Sequence, residues 1–445
     1  MDGSKYNIPL EEVHFFNAIS IDEVGEVFEW KGKILRGITE DARPLADRYF
    51  SSGFLDYIVK KGMFPKTEIS AYTNPKYCYI LEHEKVELQT IDAEWSFDML
   101  KDAALLVCEI AAVAWRYGFN MKDCHTKNVL FKDNKPIYVD LGSFVNIEEG
   151  LSGFKSYDQI LSYYYYVLRL WSDGCLSLPK QLQCLYRFEK RDYLLYKYPL
   201  LRHLSRFLDY YLKIDTTLFL LTTSKQSSDF VTKTKTRAIL WKIINKVKLF
   251  KWQKPQNFRK IIMRVRRPRY FDNKPLLENS YILTERQTLS LEGENSFVIV
   301  NPAEYNFLNV FTERIKNKPM ITIDYNESRG NTNYISNKEK NLRLTCLTFN
   351  MSYPTVHFNY QTPPQNRIKA SALLLVGARE ISNELRKPIE VIYKTLLDYD
   401  FNTLVAVETE ASSTTSSEEG IISQWYVLED TMNNGGFVTK TYKKR

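Results

Sequence analysis

Two aspartates and one asparagine near residue 130 have the types and the spacing of a phosphoryl-transfer site. Asn128 follows Asp123 by five residues, and Asp140 follows Asn128 by twelve, at the end of an apolar run that continues into Leu141 and Gly142. In such sites one carboxylate accepts the proton of the attacking hydroxyl, while an asparagine and a second aspartate hold the metal ion that bridges the phosphates. The spacing therefore predicts Asp123 as a catalytic base, Asn128 and Asp140 as Mg2+ ligands, and ATP as the phosphate donor.

This loop, D-x-H-x-x-N followed by the later aspartate, resembles the catalytic loops of aminoglycoside- and choline-kinase-like enzymes. Its usual companions are harder to identify, because the first 60 residues contain no G-x-G-x-x-G loop and no V-A-x-K lysine. Arg36 in KILRGI is the candidate cofactor-binding cation, with Glu82 as its candidate partner. The alternative for Arg36 is a solvated strand residue. His125 is expected to brace the loop and not to react.

Periodicity and turn signals predict the elements that position these residues. EVFEWKGKILRGI, Glu26–Ile38, favours a hairpin, and Asp41–Lys61 favours a helix capped by its first residue. KTEISAY and YCYILEHEKVEL favour strands, and Ser96–Tyr117 favours a long helix that Gly118 ends. This order predicts a kinase-like, bilobal α+β N-terminal half. The aromatic helix predicted at Ser156–Trp171 is expected to pack in a core and not to stack on a ligand.

After about Gly293 the predicted secondary structure changes to an alternation of strands and helices. Strand-like runs (SFVIV, PMITIDY, LRLTCLTF, SALLLV, NTLVAVE) alternate with helix-like ones, Pro302–Lys316 and Arg379–Tyr399. That alternation predicts an α/β domain with parallel strands. Since 445 residues exceed what one core usually organises, three regions are predicted: a kinase-like module at 1–225 (small lobe about 1–90, helical lobe about 91–225), a basic helical connector at 226–290, and the α/β domain at 291–445.

Four segments carry a resemblance to a known family: EHEKVEL, EWSFDMLKDAALL, YGFNMKDCHTKNVLF and PIYVDLGSF. They are similar to bacterial class I, S-adenosylmethionine-dependent methyltransferases of the nodulation-protein type, and the resemblance covers roughly Val27–Trp171. It implies an N-terminal kinase-like module, a C-terminal methyltransferase domain and a role in modifying glycans or surface polysaccharides.

The resemblance also implies that the methyl donor lies over a D-x-G-x-x-x-G turn after the first strand. Asp324 and Gly330 match the ends of that turn and are the candidate S-adenosylmethionine-binding residues, but Asn326 stands where the first glycine belongs. Only about twenty residues separate Gly330 from Asn350, which stands where the family has an acidic residue. A strand-and-helix unit carrying the ribose-binding carboxylate is therefore expected to be missing. The predicted domain is a Rossmann-type but incomplete, degenerate one.

The charge of the chain is concentrated in one segment. The net charge is +8, yet Val231–Tyr270 contains fourteen Lys or Arg and no Asp or Glu. A connector helix with its charged face in water is one interpretation. The other is an amphipathic helix that places residues 233–269 on an anionic membrane surface. Nucleic acid is disfavoured as a partner, because no recognition motif accompanies the charge.

The compartment is expected to be the cytoplasm, with the inner membrane surface as a peripheral location. Six cysteines at irregular intervals without a CxxC pair disfavour zinc and disulfides. No uncharged apolar run reaches 18 residues, and the first residues lack the pattern of a secretory signal.

Three functions remain open from the sequence. In the first, the chain is a transferase of glycan or surface-polysaccharide modification, in which a phosphotransfer module is fused to a methyltransferase-like domain and the acceptor is a glycan or lipid-linked saccharide. In the second, it is a non-catalytic scaffold for a polysaccharide assembly enzyme. In the third, it is a functional S-adenosylmethionine-dependent methyltransferase.

Overall fold

The computed structural model divides into two units, each assembled from several stretches of the chain. The described residues are 6–16, 24–88, 90–147, 157–175, isolated residues between 179 and 197, 255–268, 293–300, 317–324, 327–338, 343–348, 370–385, 388–389, 401–409, 420, 422–424, 426–434 and 437–445. The first unit comprises Met1–Lys85, Ala103–Asn128 and Tyr138–Arg266, and the second comprises Val86–Asp102, Val129–Ile137 and Arg267–Arg445. The boundaries predicted near residues 225 and 290 lie outside the described residues.

An antiparallel sheet of five strands begins the first unit. The strands up to residue 83 are β1 (Tyr6–Asn7), β2 (His14–Phe15), β3 (Glu26–Trp30), β4 (Lys33–Ile38), β5 (Thr67–Ile69), β6 (Tyr72–Thr73) and β7 (Tyr79–His83). The sheet order is β2-β3-β4-β7-β5, while β1 pairs separately with β6. Lys31 and Gly32 join β3 to β4 with φ of 49° and 77°, as a tight hairpin turn requires. The predicted hairpin is confirmed.

One face of this sheet is closed by the N-terminal segment. The buried cluster on it consists of Ile8, Phe28, Trp30, Leu35, Tyr77 and Ile80. Leu35 packs in this cluster. Because successive strand residues point to opposite faces, the side chain of Arg36 lies on the other face of the sheet. The sheet therefore fixes Arg36 in position through the packing of its neighbours.

Two helices stand where one is predicted at Asp41–Lys61. They are α1 (Arg43–Ser51) and α2 (Phe54–Lys60). Gly53 separates them with φ of 76°, a left-handed conformation that interrupts a helix. The N-cap of α1 is Ala42, without a side-chain hydrogen bond, so Asp41 is not the cap.

The long helix predicted at Ser96–Tyr117 is confirmed as α3 (Phe97–Arg116), and Gly118 ends it with φ of 81°. The strands that follow are β8 (Phe119–Met121), β9 (Val129–Lys132), β10 (Lys135–Tyr138) and β11 (Phe144–Asn146). β8 pairs with β11, and β9 pairs with β10. Two 3₁₀ turns, Thr126–Asn128 and Leu141–Ser143, carry the predicted metal ligands or adjoin them.

The remaining described helices of the first unit are short. They are α4 (Tyr157–Ile160), a π-helical turn (Leu161–Tyr165), α5 (Tyr166–Ser172) and α6 (Pro255–Met263). Tyr164, Tyr166 and Trp171 are buried, so these three aromatic side chains pack in a core as predicted. The basic helix predicted between residues 237 and 251 lies outside the described residues. Within the described part of the chain, no helix has the length and apolar character to cross a membrane.

A seven-stranded sheet forms the centre of the second unit. Its strands are β12 (Phe297–Val300), β13 (Met320–Asp324), β14 (Leu344–Thr348), β15 (Ala372–Val376), β16 (Thr403–Thr409), β17 (Tyr426–Asn434) and β18 (Phe437–Lys444). The order is β14-β13-β12-β15-β16-β18-β17, with β18 antiparallel to both neighbours and all other pairs parallel. The five predicted strands are confirmed. The expectation of a missing strand is wrong, because β12 and not β13 is the first strand of the domain.

Two helices connect parallel strands of this sheet: α7 (Glu327–Asn337) joins β13 to β14, and α8 (Ala378–Leu385) joins β15 to β16. Right-handed crossovers that run toward opposite edges of a sheet place their helices on opposite faces. The two connections run in this way, since β14 and β16 lie on either side of β12 and β15. The sheet is therefore doubly wound.

Two segments from the N-terminal half complete the second unit. Asp98 on α3 exchanges two hydrogen bonds with the buried Asn331 side chain, of 2.7 and 2.8 Å. The Tyr334 hydroxyl donates to Asp102 at 2.8 Å. Asn134, between β9 and β10, accepts from the backbone N–H of Cys346 at 2.8 Å, which covers part of the edge strand β14.

Candidate functional site

The predicted phosphotransfer residues lie on connections that hydrogen bonds tie to one another. The backbone N–H of Lys122 donates to Ser143 O at 2.8 Å, and that of Val139 donates to Asn128 O at 2.9 Å. Asn128 closes its own 3₁₀ turn by donating its N–H to His125 O. These bonds place the loop of Asp123 and Asn128 beside the turn that begins at Asp140.

The Asp140 carboxylate is the centre of the site. It caps the 3₁₀ turn by accepting from Gly142 N at 3.1 Å, and it also accepts from the Ser143 hydroxyl. Gly142 N bonds to Oδ1, whereas the Ser143 hydroxyl and the Asn128 amide nitrogen, the latter at 3.2 Å, both donate to Oδ2. The two residues predicted as metal ligands are therefore brought together.

Arg36 reaches the same carboxylate from β4. Its side chain is almost fully buried, and its Nη2 lies 3.5 Å from Asp140 Oδ1. Glu82, the predicted partner, instead pairs with Lys33 at 2.7 Å. The register explains the difference: Glu82 lies opposite Leu35, so it points to the face away from Arg36. The partner assignment to Glu82 is wrong.

Asp123 is oriented by a residue that the sequence did not single out. Gln159 on α4 donates from Nε2 to Asp123 Oδ1 at 3.1 Å and accepts the N–H of Cys124 at 2.6 Å. The Tyr138 hydroxyl donates to the carbonyl oxygen of Asp123 at 2.8 Å. Gln159 precedes the π-helical turn, a type of irregularity that often accompanies functional sites. No spacing signal in the sequence identifies it.

Burial sets the protonation of two further groups in this site. It lowers the pKa of His125, although the carboxylates of Asp123 and Asp140 oppose the shift. Burial also raises the pKa of Tyr138 well above its ordinary value, and the Asp140 charge adds to the effect. His125 is therefore neutral near pH 7, and Tyr138 keeps the proton that it donates.

The oxygen ligands suit magnesium better than a transition metal. Mg2+ is usually held by one or two carboxylates together with substrate phosphates and water. Asp140 would supply a carboxylate oxygen to such an ion. Asn128 would supply an amide oxygen after a half-turn of its side chain, because its nitrogen faces Asp140. No group of three His, Cys, Asp or Glu side chains suited to a metal ion occurs among the described residues. The residues fit a magnesium ion that arrives with a phosphate ligand.

The second candidate site is the carboxyl edge of the seven-stranded sheet. The chain leaves β12 toward one side of the sheet and β15 toward the other, so the two strands form a topological switch point. Gly377, directly after β15, has φ of 63° and turns the chain into α8. In open α/β sheets, ligands bind at this position.

Asp324 and Gly330 do not follow the first strand of the sheet, where the turn is predicted. Asp324 ends β13, the strand next to the switch point, and Gly330 lies within α7. A Cβ atom on Gly330 would lie 2.4 Å from Thr348 Oγ1 and 3.2 Å from Asp324 Cβ, so Gly330 serves the close approach of α7 to the sheet. The buried Asp324 carboxylate accepts from Asn333 Nδ2 at 3.2 Å. Whether either residue binds a cofactor stays a prediction.

The position of Asp324 suits a nucleoside-containing cofactor. A carboxylate about 20 residues beyond the first strand of a doubly wound domain holds ribose hydroxyls, and Asp324 follows the end of β12 at about that distance. One feature differs from the usual pattern, since residues 301–316 after β12 include no glycine. The residues therefore fit the ribose of a cofactor and lack the glycines that usually cradle the rest of it.

Comparison with known proteins gives one sequence relative of partial coverage. The nodulation protein NoeA of Rhizobium meliloti (strain 1021) is 28% identical over 124 residues, which are 27% of this chain and 26% of the relative. The chain thus matches about a quarter of the length of that protein. No family model matches the chain.

Solved structures with a similar arrangement are methyltransferases. An rRNA methylase from Escherichia coli has 12% identity and a TM-score of 0.24 over 35% of this chain and 60% of its own. TrmK of M. capricolum, in complex with S-adenosyl-homocysteine, has 9% identity and a TM-score of 0.25 over 37% and 70%. The pyocyanin biosynthetic protein PhzM has 14% and 0.26 over 34% and 50%. The strand order, and not these low scores, identifies the second unit as a Rossmann-type α/β fold; the kinase-like fold stays a prediction.

Proposed function

We propose that the chain is a transferase of the methyltransferase type, whose second unit binds S-adenosylmethionine at the carboxyl edge of the sheet. The strand order carries the proposal. Five parallel strands in the order 3-2-1-4-5, followed by an antiparallel strand between the fifth and the sixth, are the arrangement of class I methyltransferases. The switch point between β12 and β15 is where such a sheet takes its ligand.

Asp324 would accept hydrogen bonds from the ribose hydroxyls, and Asn333 would hold its carboxylate in place. Gly377 would allow the chain to turn away from the ligand beside the switch point. The bound cofactor supplies an activated methyl group to a nucleophile. Residues 301–316, which follow β12, contain no glycine, so the proposed cofactor site lacks the glycine-rich turn that usually follows the first strand.

Calorimetry with S-adenosylmethionine and S-adenosyl-homocysteine tests the proposal. Both ligands should bind, and Asp324→Asn should weaken binding about tenfold to a hundredfold, because hydrogen bonds to a charged group contribute about 1.5–3 kcal/mol. Asp102→Asn is the matched control, since it changes another carboxylate of the same unit that contacts Tyr334 and Lys338. Absence of heat with the unmodified protein at millimolar ligand would exclude the proposal.

The acceptor is a separate part of the proposal. A glycan or lipid-linked saccharide is predicted from the family resemblance, whereas the names of three similar structures refer to rRNA methylases. Transfer of labelled methyl groups should therefore be measured on purified surface polysaccharide and on ribosomal RNA in parallel. Label in RNA alone would reverse the prediction that nucleic acid is disfavoured.

A second candidate function is binding of a magnesium nucleotide in the first unit. The observation that favours it is the convergence of Asn128, Gly142 N and Arg36 on one carboxylate, Asp140. With a magnesium nucleotide bound, Asn128 and Asp140 would hold the ion and Arg36 would neutralise phosphate charge. Asp123, fixed by Gln159, would accept the proton of an attacking hydroxyl.

Thermal unfolding with ATP and Mg2+ tests this candidate. A ligand at a hundredfold excess over its Kd stabilises the folded state by about 2.7 kcal/mol, so the unfolding temperature should rise. Asp140→Asn should abolish the rise, while its amide oxygen still accepts from Gly142 N and its NH2 group can donate to Ser143 Oγ. Asp56→Asn, on the exposed face of α2, is the control. No rise in the unmodified protein would exclude nucleotide binding, and a scaffold role would remain if S-adenosylmethionine also failed to bind.

A further inference from the structure

A cavity of about 300 Å³ in the first unit lies apart from the residues discussed above. It is lined by Tyr165, Arg169, Ile261, Arg264 and Val265. Tyr165 ends the π-helical turn, Arg169 lies on α5, and the other three belong to α6 or the residues just after it. Ile261, Arg264 and Val265, which belong to the basic segment, thus form one wall of the cavity. Tyr165 and Arg169 form the other wall.

The charges around the cavity are predominantly positive. Asp173 pairs with Arg169 at 3.4 Å and also with Lys197, so one carboxylate is shared by two cations. Arg264 is exposed and has no ion pair among the residues that the structure describes. Residues 251–268 contain no acidic residue. Arg169, Lys197 and Arg264 against the single carboxylate of Asp173 leave a net charge of +2 (3 − 1), and two of these cations, Arg169 and Arg264, line the cavity.

The apolar part of the lining restricts which anion fits. Val265 is buried, Ile261 is partly buried, and both present aliphatic surface beside the Tyr165 ring. A fully hydrated inorganic anion would leave this surface uncovered. A cavity of this volume is at the small end of the range that holds small organic ligands.

We propose that this cavity binds an organic phosphate monoester. The phosphate contacts the guanidinium groups of Arg169 and Arg264, whose planar donor pairs match phosphate oxygens. The apolar body of the ligand covers Ile261, Val265 and the ring of Tyr165. This gives the described end of the basic segment a role as a phosphate-binding wall of a small-molecule site.

Titration of the full chain with phenyl phosphate, inorganic phosphate and phenol, followed by calorimetry, tests the proposal. Phenyl phosphate should bind more tightly than either fragment alone, because only it uses both the cations and the apolar wall. Arg264→Gln should weaken phenyl phosphate about tenfold, the effect of losing one charge-assisted contact. Arg264 is exposed, so this change should leave the fold intact.

Lys260→Gln is the matched control, because it removes one exposed cation from the same helix without altering the cavity lining. It should leave the Kd for phenyl phosphate unchanged. Equal weakening by both variants would overturn the proposal in favour of a diffuse basic surface. Binding to phosphatidylglycerol vesicles without any binding of phenyl phosphate would overturn it in favour of a membrane surface.

Discussion

Two half-buried histidines of the first unit, His83 and His125, are kept neutral near pH 7 by their surroundings. Burial lowers the pKa of His83 to about 3, and the nearby Arg36 charge adds to the shift. The Nδ1 atom of the ring lies 2.8 Å from Thr67 Oγ1. Since the Thr67 hydroxyl donates to Pro65 O, Nδ1 is the donor in that contact.

This arrangement predicts a loss of stability in mild acid. The unfolded chain binds a proton at His83 near pH 6.5, whereas the folded chain does so only near pH 3. The contribution of His83 to the free energy of unfolding is therefore fully present above pH 6.5, and it is lost progressively as the pH falls from 6.5 toward 3. His83→Asn keeps a donor for Thr67 but cannot titrate, so the variant should lose about 1–2 kcal/mol less than the parent between pH 7 and pH 5. Urea unfolding at both pH values measures the difference.

His14, which is exposed on β2, provides the control for this measurement. His14→Asn should leave the pH dependence of the unfolding free energy unchanged. If His83→Asn shows the same slope with pH as the parent protein, His83 is not held neutral by its site.

The residues of the phosphotransfer site differ in how far the sequence predicts them. Asp123, Asn128 and Asp140 lie within one short segment, so their spacing alone indicates a common site. The contact of Arg36 with Asp140 spans 104 residues and depends on the register between β4 and β7. The hydrogen bond from Gln159 to Asp123 likewise spans 36 residues, and no periodic pattern in the sequence connects the two positions. Local spacing predicts ligands that are neighbours in sequence, and strand register decides the others.

At the scale of elements, α7 shows where periodicity fails. Its sequence, ESRGNTNYISN, is polar and rich in Asn, which is typical of turns. Five of its residues are nevertheless buried, and three of these are asparagines (Asn331, Asn333 and Asn337) whose amide nitrogens donate hydrogen bonds. Asn333 donates to Thr322 Oγ1 at 2.9 Å, and Asn331 pairs with Asp98. The strands β12 to β16 were predictable from apolar runs, whereas a helix buried through hydrogen bonds gives no apolar stripe.

The close contact of α7 with the sheet predicts a cost for any side chain at position 330. Gly330→Ala would gain up to about 1 kcal/mol in helix propensity. Its Cβ would, however, lie 2.4 Å from Thr348 Oγ1, and overpacking of a tight contact costs about 1–3 kcal/mol. We expect a net destabilisation of about 1 kcal/mol, measured by urea unfolding.

Gly293→Ala is the matched control, since nothing lies within 4 Å of the added Cβ and its φ is not positive. It should change the unfolding free energy by less than about 0.5 kcal/mol. A Gly330→Ala protein as stable as the parent would show that α7 can shift away from β14. Position 330 would then be free for a role other than packing.

At the scale of the whole molecule, the second unit is discontinuous in sequence. Val86–Asp102 and Val129–Ile137 belong to it together with the C-terminal residues. Trp95 and Phe131, both fully buried, contact each other edge to face, and Phe131 packs against Tyr334. The boundary near residue 291 is predicted from the alternation of strand-like and helix-like runs. That pattern indicates the local element and not the element against which it packs, so it cannot detect the two N-terminal segments.

This organisation predicts that residues 291–445 do not fold as an independent domain. Without the two N-terminal segments, the buried Tyr334 and Asn331 lose their partners Asp102 and Asp98, and the apolar surface that Phe131 covers becomes exposed. Each buried polar group left without a partner costs about 1–3 kcal/mol, and a domain is stable by only about 5–15 kcal/mol. The isolated fragment should therefore bind a hydrophobic dye and unfold without a cooperative transition, whereas co-expression with residues 1–290 should restore the transition. If the fragment unfolds cooperatively and does not bind the dye, residues 291–445 fold without the two N-terminal segments and the prediction is wrong.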